Sequence, residues 1–330
     1  MVAEPQPVLS LDIGGTKLAV AVVTPDGTPH GLLIEPTHRD DGPDVILGRL
    51  LAMGQQSIQG AGLGPVAAVG ISCGGPLDRV AGVLTGPLHL PGWIDIPIVD
   101  IVEREFGVPV ALDNDATAAA LGEFRYGSGR GTSTMLYLTI STGIGGGAVI
   151  NRQLHRGGAQ NGGEYGHILV ETGGRQCLCG RRGCLEVYAS GSSIAARARE
   201  AIDAGAPSTL GDLAVVRAED VSSHAQAGDP LARELWDHTT ALLASAITDL
   251  VNILEPDLVV LGGGVTRSGR FLLDPIADAV THDSMPPAAK VVRVSLAELG
   301  DVVCVIGAAA IAFDLLSETA EAVGAEARRG

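Results

Sequence analysis

Short apolar runs separated by glycine organise this chain. Val8 to Leu11 is one such run and closes on Asp12, and Gly14-Gly15-Thr16-Lys17 then turns the chain into a second run, Leu18 to Val23. Runs this short and rich in Val, Leu and Ile predict buried strands rather than helices. Pro25-Asp26-Gly27-Thr28 predicts a hairpin turn before Gly31 to Ile34. The first glycine turn therefore joins strand to strand, whereas a dinucleotide-binding fingerprint uses its glycines to open a helix. A mixed helical stretch, Asp44 to Gln59, precedes two further strands, Val66 to Ser72 and Val108 to Leu112.

The same pattern returns later. Met135 to Ile140 predicts a strand, Ser141-Thr142-Gly143-Ile144-Gly145-Gly146 a glycine-rich turn, and Gly147 to Ile150 with Asn151-Arg152 another hairpin. Two such units suggest two related lobes. Helical spacing runs through Ser192 to Ala204 and Leu231 to Leu254, where Pro256 stops it. Leu258 to Leu261 predicts a buried strand feeding Gly262-Gly263-Gly264, and Gly307 to Leu316 an Ala-rich closing helix.

Composition narrows the class. With 330 residues, 46% of them hydrophobic but only 3% aromatic, and 46 glycines, the chain describes a two-domain α/β protein with many tight turns. A formal charge of -16 argues against a nucleic-acid partner, which needs a basic face. The opening Met1-Val2-Ala3-Glu4-Pro5 has no basic stretch before an apolar core, and no apolar run reaches the roughly 18 residues of a membrane span. The expectation is a cytoplasmic protein with no membrane partner. Five cysteines, three of them within eight residues, suggest a metal rather than disulfides. Cys304, in the run Val302 to Ile306, and Cys73 read as core.

Three groups of residues carry candidate chemistry. In the turn after Asp12, glycines let backbone N–H groups approach phosphate oxygens, and a strand-end carboxylate can hold Mg²⁺ through water. The second turn, at Thr142 and Gly143, permits a grip on the same phosphates, and Gly263-Gly264 lets an adenine lie close to the backbone; each also reads as an ordinary turn. Asp113-Asn114-Asp115-Ala116 precedes an Ala-rich helix, so one carboxylate is either its N-cap or, in Asp115, a base accepting a proton from a sugar hydroxyl. His167, Cys177, Cys179 and Cys184 match tetrahedral Zn²⁺ ligation, with Gly180 and Gly183 permitting the tight loop. One imidazole and three thiolates leave no open position, so the ion is structural. Glu164 and Glu186 flank it and are candidate acceptors for sugar hydroxyls.

Together these residues resemble the repressor, open-reading-frame and kinase (ROK) family of sugar kinases and regulators. The resemblance rests on Asp12 to Lys17, Gly74-Gly75-Pro76-Leu77-Asp78, Leu90-Pro91-Gly92-Trp93, Asn114-Asp115, Thr142 to Gly147, Gly163-Glu164-Tyr165-Gly166-His167 and the cysteine loop. It implies an actin-like, ribonuclease-H-like two-lobed ATPase fold, with lobes of residues 1–118 plus 307–323 and 119–306, a zinc loop at 166–186 and the active site in the interlobe cleft. It implies that Asp115 is the base, that Gly75, Asn114, Glu164, His167 and Glu186 contact sugar, and that Asp12, Gly14, Gly15, Thr16, Lys17, Thr142, Gly143, Gly263 and Gly264 contact ATP and Mg²⁺.

The cysteine loop with Leu90 to Trp93 is most similar to the zinc-containing bacterial glucokinases of that family, which implies phosphorylation of glucose to glucose 6-phosphate by a homo-oligomer, dimer or tetramer. The alternatives are another sugar (mannose, fructose, allose or N-acetylmannosamine) or a non-catalytic sugar sensor. His89, Thr117 and Gln160-Asn161-Gly162 depart from the glucokinase pattern near the expected sugar pocket and so bear on which hexose is used. Only 11 residues precede Asp12, too few for the DNA-binding helix-turn-helix of the family's regulators.

Overall fold

The computed structural model describes residues 6–327, with side chains described to residue 320. Met1 to Pro5, read above for a targeting segment, lie outside the described residues. The chain divides into two compact units. One ends at Gly127 and resumes at Asp301; the other is Ser128–Gly300.

The first unit carries β1 (Val8–Ile13), β2 (Lys17–Val23), β3 (Pro29–Pro36), α1 (Pro43–Ala61), β4 (Val69–Cys73), the small hairpin β5 (Leu77–Asp78) and β6 (Val83–Leu84), α2 (Ile98–Phe106), β7 (Val110–Asn114) and α3 (Asp115–Tyr126). The second carries β8 (Met135–Ile140), β9 (Ile144–Ile150), β10 (Gln153–His155), α4 (Glu186–Ala189), α5 (Gly191–Asp203), α6 (Ala218–Gln226), α7 (Pro230–Leu254), β11 (Leu258–Gly262), α8 (Arg270–Asp283), α9 (Pro286–Ala289) and β12 (Arg293–Leu296). The closing helix α10 (Val303–Ala327) returns to the first unit.

Each unit is built on a five-stranded sheet of the same topology, in the orders β3-β2-β1-β4-β7 and β10-β9-β8-β11-β12. In both, the first three strands are an antiparallel meander and the last two run parallel to the central strand. This is the ribonuclease-H-like arrangement, and it explains the repeated strand–glycine–strand pattern. All six residues of β1 are buried, as expected of a central strand covered on both faces.

Close packing of α10 depends on missing side chains. A Cβ at Gly70 of β4 would lie 1.8 Å from the Ala308 carbonyl oxygen, and one at Gly307 would lie 2.1 Å from that of Ala118. The helix therefore packs directly on the sheet and on α3, and Ser10 Oγ of β1 donates to the Val305 carbonyl. Its Gly300–Ala320 stretch is long and apolar enough to cross a membrane by length and composition. The sequence-based expectation concerned an uninterrupted apolar run, and here that run extends only from Val302 to Phe313, between Asp301 and Asp314. Val305, Ile306 and Ala308 to Ala312 are buried in the first unit, so the apolarity serves its core.

Some assignments differ from the sequence-based expectation. Ile144 to Gly146 belong to β9 rather than to the turn, pairing with Ile140, Thr139 and Leu138. The Tyr165 ring occupies the space of a Cβ at Gly146, which would lie 2.3 Å from it. The last strand of the first sheet extends to Asn114, which puts Asp113 in the strand. Cys304 is not part of an apolar core run: it opens α10, partly exposed, with Sγ 4.0 Å from the Asp115 carbonyl oxygen. Cys73 is fully buried, as expected.

Candidate functional site

In the first unit, the parallel strands end in a row of polar residues. Asp12 of β1 pairs in register with Ser72 of β4, and Ser72 with Asp113 of β7. Ser72 Oγ donates to Asp12 Oδ1 at 2.6 Å. Burial pushes the Asp12 carboxyl up to about 6, and nearby Asp115 adds to the rise, while Ser72 and Lys17 oppose it. At neutral pH this carboxylate is charged at a cost of roughly 3 kcal/mol, the penalty for desolvating an anion with too little positive charge beside it. Its surroundings fit a bound cation.

The turn that follows is tight. Gly14 N–H donates to the Lys17 carbonyl at 3.0 Å, and Thr37 Oγ1 donates to the Gly14 carbonyl at 2.6 Å. Lys17 Nζ donates to the Asp301 carbonyl at 2.9 Å. A Cβ at Gly15 would lie 2.6 Å from His89 Cβ.

Asp115 occupies the first position of α3. The helix is capped by Asn114, whose Oδ1 accepts from the N–H groups of Ala116 (2.9 Å) and Thr117 (3.3 Å). The expectation of a carboxylate cap is thus corrected: the amide does the capping, because β7 runs through Asp113 and leaves Asn114 at the strand-to-helix corner with extended backbone. The Asn114 Nδ2 group is left as a donor near Gly75, where a Cβ would lie 3.8 Å from it. Asp115 Oδ1 accepts from Ala116 N–H at 2.8 Å. Desolvation raises its carboxyl above the ordinary value, opposed by the Ala116 N–H and by the nearby His89 imidazole. A carboxylate so placed is a competent proton acceptor.

In the second unit, Ser141, Thr142 and Gly143 form the turn between β8 and β9. Glu186 Oε2 accepts from Ile144 N–H at 2.8 Å, and Ser192 Oγ donates to the Thr142 carbonyl at 2.7 Å. One oxygen of Glu186 is therefore committed to shaping the turn. Gly263 sits where a Cβ would lie 2.5 Å from the Ile140 carbonyl oxygen. A cavity of about 550 Å³ opens beside these turns, lined by Thr142, Ser192, Arg217, Gln226, Gly264 and Arg267 among others. Thr142 and Gly264 meet there, while Gly143 and Gly263 stand behind them in the backbone. Arg217 and Gln226 bracket α6, whose sequence carries no chemical motif, so nothing in the sequence reading marked them. Ser72 was also missed, although a polar residue closing an apolar strand beside Asp12 is a usable signal.

The cysteine loop supplies a compact donor set. The ligand atoms of His167, Cys177, Cys179 and Cys184 all lie within 4.8 Å of one another. Cys177 Sγ is 3.6 Å from His167 Nδ1, and Cys179 Sγ is 3.6 Å from Cys184 Sγ. Tetrahedral ligation at the usual zinc–sulfur distance places sulfurs about 3.8 Å apart, so the spacing fits. Burial pushes the Cys184 thiol up to about 12, whereas the Arg181 N–H holds exposed Cys179 below its ordinary value. A buried thiolate among other thiolates is unfavourable without a cation, which is the chemistry a divalent ion satisfies. Gly183, at φ +87°, admits no side chain, since a Cβ would lie 1.7 Å from the Glu171 carbonyl oxygen. Glu164 Oε2 lies 3.8 Å from His167 Nε2.

A polar network fixes this loop to the unit. Arg175 makes a bidentate pair with Glu200 at 2.8 and 2.7 Å, and its N–H donates to Tyr188 Oη at 2.5 Å. His238 Nε2 donates to Glu171 at 3.0 Å, and its Nδ1 accepts from buried Arg197 at 2.7 Å.

The model of the ROK family matches residues 8–314. A glucokinase of Halalkalibacterium halodurans is 35% identical over 306 residues, covering 91% of this chain and 92% of its own. An N-acetylmannosamine kinase of Yersinia pestis is 36% identical over 266 residues, covering 80% and 85%. A solved ROK family glucokinase from Streptomyces griseus, in complex with glucose and AMPPNP, matches with a TM-score of 0.76 at 31% identity, covering 93% of this chain and 99% of that one.

Proposed function

This chain belongs to the ROK family, and we propose that it is an ATP-dependent hexose kinase that converts glucose to glucose 6-phosphate. The observation that carries the reading is Asp115, a desolvated carboxylate at the start of α3 beside Asp12, in a chain 35% identical to a glucokinase over nine-tenths of its length.

In this reading Asp115 accepts the hydroxyl proton as the sugar oxygen attacks the γ-phosphorus and the bond to the departing ADP oxygen breaks. Phosphoryl transfer depends mainly on positioning and charge stabilisation, so one base and well-placed donors suffice. Asn114, its carbonyl oxygen used in capping, donates from Nδ2 to a sugar hydroxyl. Glu164, His167 and the second oxygen of Glu186 complete the sugar contacts, with Gly75 giving close backbone approach. Gly14, Gly15, Thr16 and Lys17, with Thr142 and Gly143, handle the phosphates. The cavity at Gly264 takes the nucleoside, with Gly263 behind it.

Mg²⁺ supplies neutralisation of phosphate charge, and buried Asp12 would hold it through water. Zn²⁺ at His167, Cys177, Cys179 and Cys184 is structural: ligation through Nδ1 leaves His167 Nε2–H as a donor in fixed orientation. Three free thiols in one metal loop suit the reducing cytoplasm. The enzyme works as a homo-oligomer, dimer or tetramer, without nucleic-acid or membrane partners.

The identity to an N-acetylmannosamine kinase favours one second reading, an amino-sugar substrate. An ADP-release assay over a panel of hexoses and amino sugars, with ATP and with polyphosphate, separates the two. Glucose with ATP should give the highest kcat/KM. A higher value for N-acetylmannosamine would replace glucose, and release with no sugar in the panel would remove the kinase reading.

A further inference from the structure

We propose that His89 is a phosphoryl-contacting residue of this kinase, donating from its imidazole to the group in transfer. The inference rests on the kinase reading above and adds a residue that the family pattern does not supply, since that pattern carries Asn here.

His89 lies on the connection between β6 and α2, which crosses the Gly14-Gly15 turn. A Cβ at Gly15 would stand 2.6 Å from His89 Cβ and 2.9 Å from its carbonyl oxygen, so the two segments touch. The connection is held on both sides. Leu88 N–H donates to the Gly75 carbonyl at 3.1 Å, Trp93 N–H to the Leu90 carbonyl at 3.3 Å, and the Trp93 side chain is fully buried. From this anchored backbone His89 itself is exposed. The imidazole is near enough to Asp115 to oppose the effect of burial there. A phosphate-handling turn, a proton acceptor and an imidazole therefore share one neighbourhood within the first unit.

The other cationic side chain of the turn, Lys17, has its Nζ directed at the Asp301 carbonyl. Arg79 faces Asp113 at 3.6 Å. His89 adds donor capacity beside Gly15 to that of Lys17, next to a pair of acids, Asp12 and Asp115.

During transfer the sugar oxygen forms a bond to phosphorus, the bond from phosphorus to the ADP oxygen breaks, and the hydroxyl proton moves to Asp115. Negative charge is spread over three equatorial oxygens, and a donor aimed at one of them acts on this state more than on neutral sugar. The same oxygens persist in the sugar phosphate. Removing the donor should therefore lower kcat and weaken product binding without weakening sugar binding.

The test is steady-state kinetics of wild type, His89→Ala and His89→Gln with ATP and the hexose the wild type uses best, with that hexose's 6-phosphate as inhibitor. His89→Ala should lose about 10-fold in kcat and raise the inhibition constant of the sugar phosphate by about 10-fold, with sugar KM within about 2-fold, as expected for one donor to a charged oxygen. His89→Gln, which keeps an N–H donor, should recover part of both losses. Thermal melts matching wild type confirm that the exposed substitution leaves the fold intact. A raised sugar KM with unchanged kcat would make His89 a sugar contact and overturn the proposal. Wild-type kinetics in His89→Ala would overturn it too, while leaving the kinase reading standing. A wild type that phosphorylates no hexose would remove both.

Discussion

The two sheets share one topology and end differently. In the first, the row across the parallel strands is Asp12, Ser72 and Asp113; in the second, the matching pair is Thr139 and Gly262. Each sheet then turns through three residues, Gly14 to Thr16 in one and Ser141 to Gly143 in the other. The first concentrates carboxylates where burial makes them unfavourable, a cost that a reacting site with a cation offsets. The second is neutral at that level and uses its turn to shape a cavity. In the proposed function, one backbone plan is divided between chemistry and holding.

The sharpest break of that comparison is a paired substitution. Asp115→Asn should lower kcat by roughly 10³-fold or more while leaving sugar KM nearly unchanged, because the amide keeps hydrogen bonding and loses the base. Thr139→Ala, in the neutral sheet, should stay within about 3-fold of wild type in kcat, because it removes no charge from the reacting groups. Steady-state kinetics of the two variants checks both, and equal losses would end the division of labour.

Next in size is the metal loop. Cys184→Ser should lose bound zinc, measured as metal per chain, and lower Tm on the order of 10 °C, because Cys184 is buried while Leu169 and Leu178 nearby are exposed and bring no apolar packing in place of the ion. Zinc-free wild-type protein with unchanged Tm and sugar KM would contradict a bracing role.

Asp12→Asn sharpens the electrostatic side. Asp12 titrates near 6 in the fold against 3.8 when unperturbed. For an acid raised on folding, the native state holds the proton more tightly, so stability falls as pH rises from the lower value through the higher, and the full penalty is present above both. Metal-free Asp12→Asn should therefore be more stable than wild type at pH 7, by about 3 kcal/mol, with the gain vanishing below pH ~4. Urea denaturation at the two pH values measures this, and activity should be lost in the same variant.

Chemistry and pattern coincide at two places in the chain. Asp12 closes an apolar run, and His167 with three clustered cysteines allows few alternatives, so both were legible. Asn114 was not, because whether it or Asp115 caps α3 depends on where β7 stops, a matter of sheet register. Ile144 to Gly146 read as turn because glycine composition cannot reveal that the Tyr165 ring fills the space beside Gly146. Arg217 and Gln226 reach the cavity only through the packing of α6 against the segment after β11, a long-range contact without local signature. The smallest predicted effect lies there: Gln226→Ala should raise ATP KM about 3-fold with kcat unchanged, the loss of one neutral hydrogen bond. Kinetics at varied ATP checks it.

The most direct measurement is phosphorus NMR of ATP and glucose incubated with the protein, run beside Asp115→Asn. Wild type should move the γ-phosphoryl group to the sugar as glucose 6-phosphate, and the variant should leave ATP intact over the same period. A wild type that forms no sugar phosphate, or an Asp115→Asn variant that forms it as quickly, would contradict the assignment of this chain as a kinase with Asp115 as its base.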